Sequence, residues 1–214
     1  MNSQRRRLLA ALALSPLVAR AQEGVSYTTL RRPLPVDTPG KIEVAEFFWY
    51  GCIHCYRMEA LLEAWVPRLK PDTVFRHIPA AFQDPRFAHD AALYYTLEAL
   101  GLLGRLHRPL FDAIHVSKLR TTNKDATFAW LGQNGVDTKK FEATMNSFGV
   151  QSKVKRAAQL TVASGIDGTP ALAVHGRYVI SAEQGPTLEG MLATADRLVG
   201  MVRQSLPAGP AAKK

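Results

Sequence analysis

A single junction constrains the fold of this chain more than any other feature. Lys41 to Tyr50 (KIEVAEFFWY) is a near-continuous β-prone apolar run, the pattern of a central strand buried on both faces. Gly51 follows, and the periodicity then changes. Met58, Leu61, Leu62, Trp65, Val66 and Leu69 fall at i, i+3, i+4, i+7, i+8 and i+11, one face of a helix. Pro67 is expected to kink or end that helix. A buried strand running straight into an amphipathic helix is an α/β unit, and it sets residue 52 at or near the helix N-terminus.

The rest of the chain extends this unit. Thr73 to Ile78 reads as a second strand ended by Pro79. From Phe87 to Ser164 the pattern is helical, with expected helices at Phe87–Leu103, Leu106–His115, Asp125–Gln133, Thr138–Ser147 and Val150–Ser164, punctuated by Gly104, Gly135 and Gly149. Ala171–Val174 and Tyr178–Ile180 read as a hairpin around His175-Gly176-Arg177. A last helix runs from Leu188 to about Arg203, with Thr187 as its N-cap. The β-α-β start and β-β-α finish predict a mixed central sheet flanked by helices, interrupted by an all-helical block.

The N-terminus is a separate object. Arg5, Arg6 and Arg7 precede the apolar stretch Leu8–Val18 and the small-x-small site Ala19-Arg20-Ala21. That order reads as an export signal over residues 1–21. The Sec and twin-arginine routes are not distinguished by it. Its removal takes four arginines and no acid, so Lys+Arg falls from 27 to 23 against 18 acids and net charge from +9 to +5. The basic character thus owes much to the signal. No basic stripe interleaved with aromatics remains, so no nucleic-acid binding is expected. Residues 207–214 read as a flexible Pro/Ala/Gly-rich tail.

An exported protein works where disulfides persist, yet this one holds two cysteines, separated by only two residues. Closing so short a loop stabilises a fold by only about 2 kcal/mol on the chain-entropy relation. The pair Cys52-Ile53-His54-Cys55 is therefore better explained by chemistry. Only a thiolate attacks a disulfide. Free N–H groups and the helix dipole favour negative charge on Cys52, and His54 adds a hydrogen bond or positive charge. Cys52 reads as the nucleophile, and Cys55, one turn further in, as the resolving thiol. Zinc at a C-x-x-C needs two further ligands. No second cysteine pair exists, and His77, His89, His107, His115 and His175 show no H-x₃₋₅-H spacing, so no metal site is expected.

The segment Glu46-Phe47-Phe48-Trp49-Tyr50-Gly51-Cys52-Ile53-His54-Cys55 closely resembles the active-site strand and helix of the periplasmic DsbA family. Thr169-Pro170-Ala171 resembles that family's cis-proline loop, and Tyr27-Thr28-Thr29-Leu30 its N-terminal segment. The resemblance covers nearly all of the chain after the signal. It implies a thioredoxin fold over residues 22–83 and 165–206, with an inserted helical domain over 84–164. Pro170 matches the cis-proline that faces the disulfide, and Thr169 would present backbone groups to an extended substrate. The alternative for Pro170 is an ordinary trans proline at a strand start. Glu46 matches the buried acid that thioredoxin-like proteins keep beneath the active site, where it should have a raised pKa and exchange protons with the resolving thiol. The alternative is an outward-facing edge glutamate, and Lys70 is considered as its partner. The family's commonest dipeptide between the cysteines is Pro-His; here it is Ile53-His54. His54 argues for a strong oxidant, while loss of the proline restores a backbone N–H.

The implied function is a periplasmic dithiol oxidase with a redox disulfide Cys52–Cys55 and no prosthetic group. Its partners would be exported proteins with free thiols and a DsbB-like quinone-linked membrane oxidase, and it would act as a monomer. Two alternatives share the fold. One is an isomerase or reductase, against which stands the short span of about 19 residues between the cleavage site and Lys41. The other is a non-catalytic, chaperone-like peptide-binding module.

Overall fold

A computed structural model describes residues 26–184 and 187–206. The export signal expected at 1–21 and the tail at 207–214 lie outside the described residues. Five strands form one mixed sheet: β1 Thr28–Thr29, β2 Ile42–Phe48, β3 Thr73–Pro79, β4 Ala171–Val174 and β5 Tyr178–Ser181, in the order β1-β5-β4-β2-β3. β2 lies inside the sheet, parallel to β3 and antiparallel to β4, and every residue of it is buried. This is the thioredoxin-like α/β fold with a helical insertion.

Pleating divides β2 between two cores. Ile42 and Val44 face α1 (Ile53–Trp65) and α7 (Leu188–Ser205), packing with Met58, Leu62, Trp65, Met191, Leu198 and Val202. Ala45 and Phe47 face the other way, onto Ala157 and Leu160 of α6 (Phe148–Ser164). Each such aliphatic side chain contributes about 1.5–3 kcal/mol when fully buried. Glu46 alternates onto the α1 side. Both faces of the strand are covered, and its two acids, Glu43 and Glu46, are buried with it.

Five helices enter between β3 and β4: α2 Pro85–Ala99, α3 Leu103–His115, α4 Lys124–Gln133, α5 Thr138–Met145 and α6. Their starts are locally encoded. Asp84, Asn123, Asp137 and Ser147 are N-caps whose side chains accept from backbone N–H groups two or three residues on. The block is not an independent appendage: Leu93, Leu97, Leu106, Leu110 and Phe111 share one core with Phe48, Tyr50 and Cys55. The helices thus wall the end of the strand that leads into the cysteines.

Several local expectations need correction. α1 stops at Trp65, and Val66–Arg68 tightens into a 3₁₀ turn containing Pro67; proline is tolerated in a first turn but not in an α-helix interior. Gly104 and Gly149 lie inside α3 and α6 instead of separating helices. The left-handed breaks are at Gly101, Gly135 and Gly165. β1, not foreseen as a strand, pairs antiparallel with β5 because the hairpin leaves that edge open. The hairpin turn has left-handed His175 and Gly176 (φ 50° and 64°), and the Gly176 carbonyl accepts from the Leu34 N–H at 2.8 Å.

Candidate active site

The strand-to-helix junction places Cys52 at the N-cap of α1, in extended backbone conformation (φ −87°, ψ 116°). Its Sγ accepts from the backbone N–H of Cys55 at 3.3 Å. Its thiol donates to the Thr169 carbonyl at 3.2 Å. Both cysteines are in the dithiol form. The Cys52 pKa is drawn down to about 5. The hydrogen bond with Cys55 is the largest cause; burial opposes it, and the Thr169 side chain and the backbone N–H groups of Cys55 and His54 assist. An N-cap has backbone donors with no helical partner, and here an ionised sulfur takes the place of the usual side-chain oxygen.

Cys55 is fully buried, and burial pushes its thiol well up, reinforced by its hydrogen bond to Cys52 and the charge of Glu46. One turn of helix therefore separates a half-buried sulfur that favours the thiolate from a buried one that favours the thiol. Ile53 is 41% exposed beside Cys52, an apolar contact surface at the mouth of the site. His54 is also exposed, and the bond it brings to Cys52 comes from its backbone N–H.

Thr169–Pro170 is a cis peptide bond, immediately before β4. Since β4 pairs with β2, the loop is carried back over the α1 N-terminus and the Thr169 carbonyl reaches Cys52. Pro170 itself is buried. Two distant parts of the sequence, 117 residues apart, form opposite walls of one site.

Glu46 has no exposed surface. Burial raises its pKa well above the carboxylate range, and the charges of Glu59 and Cys52 add to this. Its neighbour is His77, directly across the sheet in β3, with Nε2 3.4 Å from the Glu46 Oε2. Lys70, considered as its partner from sequence, is exposed and lies outside this cluster, because pairing of β2 with β3 sets His77 opposite Glu46.

Sequence reasoning missed the groups around that acid. Glu59 lies one turn after Cys55 on α1 and accepts from His77 Nε2 at 3.0 Å. His107 of α3 approaches the same Glu59 oxygen at 3.4 Å, and its Nδ1 hydrogen bonds the Tyr50 hydroxyl at 2.8 Å. Burial opposes ionisation of Glu59, but the close approach of the His107 ring and the hydrogen bond from His77 outweigh it and hold the carboxyl at about 2. His115 Nε2 donates to the Tyr50 carbonyl at 2.8 Å, fixing the backbone two residues before Cys52. The sole sequence hint was the i,i+4 spacing of Cys55 and Glu59; the histidines come from separate elements. Gly51 is also constrained, since a Cβ there would meet the Trp49 ring at 2.4 Å.

Residues 43–193 match the family model of the DSBA-like thioredoxin domain. The thiol:disulfide interchange protein DsbA of Bordetella parapertussis is 42% identical over 204 residues, covering 92% of this chain and 97% of that protein. The crystal structure of Pseudomonas aeruginosa DsbA aligns with a TM-score of 0.78 at 34% identity, covering 84% of this chain and 93% of that one. Oxidoreductase DsbA from Xylella fastidiosa aligns with a TM-score of 0.77 at 31% identity, covering 83% and 95%. With the redox pair on the junction and both the family model and these relatives spanning most of its length, this chain belongs to the DsbA-like thioredoxin-domain family.

Proposed function

We propose that this protein is a dithiol oxidase that introduces disulfide bonds into exported proteins through Cys52 and Cys55. The observation that carries this reading is the asymmetry of the two sulfurs. A low pKa at Cys52 makes it the better leaving group and stabilises the reduced enzyme, and a stabilised reduced form is what makes a disulfide oxidising.

The chemistry runs as two exchanges. A substrate thiolate attacks Cys52 Sγ of the Cys52–Cys55 disulfide, the S–S bond breaks, and Cys55 departs with the electron pair and takes up a proton. Glu46, buried beneath with its pKa raised by burial and by the charges of Glu59 and Cys52, is positioned to exchange that proton. The substrate's second thiolate then attacks its own sulfur in the mixed disulfide and expels Cys52 as the thiolate. The substrate gains one disulfide, and the enzyme keeps two electrons as a dithiol. Reoxidation passes those electrons to a DsbB-like quinone-linked membrane partner.

Thr169 offers main-chain groups beside the attacked sulfur, so an extended peptide can pair there as an added strand regardless of its side chains. That suits a general oxidase. The exposed Ile53 adds side-chain-tolerant apolar contact. The reading places the protein in the periplasm as a monomer, with a thioredoxin-like domain over 22–83 and 165–206 and an inserted helical domain over 84–164. Among the described residues no helix is long and apolar enough to cross a membrane.

The test is the reduction potential of Cys52–Cys55 in glutathione buffers, together with oxidation of a reduced, unfolded substrate protein. A general oxidase is expected near −120 mV, the range of a strong dithiol oxidant. A potential near the roughly −270 mV of a reducing thioredoxin would instead assign reductase chemistry. An ordinary Cys52 pKa with no turnover would favour the peptide-binding module.

A further inference from the structure

Beneath the cysteines, Glu59, His77 and His107 place three donor atoms within 4.8 Å of one another. They come from α1, β3 and α3, so no local motif announces them. The spacings match one another closely. His77 Nε2 to Glu59 Oε1 is 3.0 Å, His107 Nε2 to the same oxygen 3.4 Å, and His77 Nε2 to Glu46 Oε2 3.4 Å. Donors on a tetrahedron about a zinc ion, at 2.0–2.1 Å from it, stand about 3.3 Å apart along each edge.

Two further features suit a cation better than a hydrogen-bonded network. Both Glu46 oxygens and His107 Nε2 are buried without a hydrogen-bond partner among the described residues, although such groups are normally satisfied. His107 Nδ1 is held by the Tyr50 hydroxyl at 2.8 Å. That contact from the far ring nitrogen is what fixes a ligating histidine's tautomer and turns its Nε2 lone pair inward.

We propose that Glu59, His77 and His107 form a three-ligand binding site for a divalent late first-row cation of the zinc class, separate from the cysteine pair and with the unpartnered Glu46 beside it. Two imidazoles with one carboxylate are a donor set this class accepts, with the fourth position left open. The thiolates are not needed, which sets the site apart from a zinc-bound C-x-x-C.

The experiment uses the untagged mature protein in its disulfide form, where no thiol is available, titrated with Zn²⁺ alone and with Co²⁺ alone. One equivalent is expected to bind, with Co²⁺ giving four-coordinate ligand-field absorption and no thiolate charge-transfer band. Glu59→Gln and His77→Phe should weaken binding by about 100-fold or more, and Tyr50→Phe, which retains the ring packing, by about 10–100-fold. His89→Ala and His175→Ala should leave it unchanged. Imidazole ¹⁵N spectra of the unsubstituted protein give a readout free of any folding defect, since Zn²⁺ should move the Nε2 signals of His77 and His107. No saturable binding by the disulfide form would overturn the proposal. So would binding that survives His77→Phe, or zinc that shifts only other histidines. The oxidase reading stands or falls separately, on the reduction potential of metal-free protein.

Discussion

The low pKa of Cys52 makes the effect of the disulfide on stability depend on pH. In the reduced protein the folded value is about 5, against about 8.5 for a free thiol in the unfolded chain. A group whose pKa is depressed by folding contributes stability that is complete above the unfolded value and lost as pH falls through the folded one. Each unit is worth about 1.4 kcal/mol. At pH 7 the dithiol form therefore gains at most about 2.7 kcal/mol, and partial exposure of the sulfur to solvent screening brings this nearer about 2 kcal/mol. The disulfide closes a four-residue loop worth about 2 kcal/mol. The two effects cancel near neutrality. Below pH 5 the cross-link wins and the oxidised form is the more stable. Toward pH 8.5 the thiolate wins and the reduced form is the more stable. Above that the advantage stops growing, because the unfolded Cys52 also ionises and buried Cys55, whose pKa is raised, resists ionisation. Urea midpoints of the two forms, measured from pH 4.5 to 8.5, should cross once. A stability difference that does not change with pH, or that favours the oxidised form more at higher pH, would refute the thiolate argument.

Five substitutions probe the rest of the site and fold. His54→Ala, which keeps the backbone N–H that reaches Cys52, should leave the Cys52 pKa and the potential nearly unchanged; a less oxidising disulfide, at about 30 mV per 1.4 kcal/mol, would show that the imidazole acts on the thiolate. Cys52→Ser and Cys55→Ser should separate the two sulfurs in an ultraviolet thiolate titration, with the low pKa surviving only in the variant that keeps Cys52; an ordinary value there would remove the nucleophile assignment. Glu46→Leu, measured with chelator present, should raise fold stability by about 1–3 kcal/mol, because it removes a buried polar group without hydrogen-bond partners, while slowing release of Cys55; a faster enzyme would end the proton-exchange role. Gly176→Ala should cost more than about 1 kcal/mol in urea unfolding, since the added Cβ would stand 2.2 Å from the Leu34 carbonyl oxygen at a left-handed position; a neutral result would show that the β1 approach adjusts freely.

The strand-to-helix junction, the succession of elements from β2 onward and the cysteine pair were legible along the chain. These depend on local signals: an apolar run, a 3.6-residue stripe, a capping residue such as Thr187, and two cysteines one turn apart. The helix N-terminus alone foretold a stabilised thiolate at Cys52. Glycines were read less well, because Gly104 and Gly149 are compatible with a helix interior and only the backbone at Gly101, Gly135 and Gly165 shows where the chain turns left-handed. Tertiary structure decided everything that depends on pairing between distant segments. Strand β4 beside β2 brings Thr169 to Cys52, and β3 beside β2 sets His77, not Lys70, against Glu46. The inserted helices carry His107 and His115 to the same end of the strand. Such encounters are fixed by sheet register and by the burial of apolar faces between layers, and neither leaves a spacing that can be read along the chain. The cysteines stand three positions apart because their chemistry needs one helical turn, whereas the acids and imidazoles beneath them meet only because the sheet and helices close around that turn.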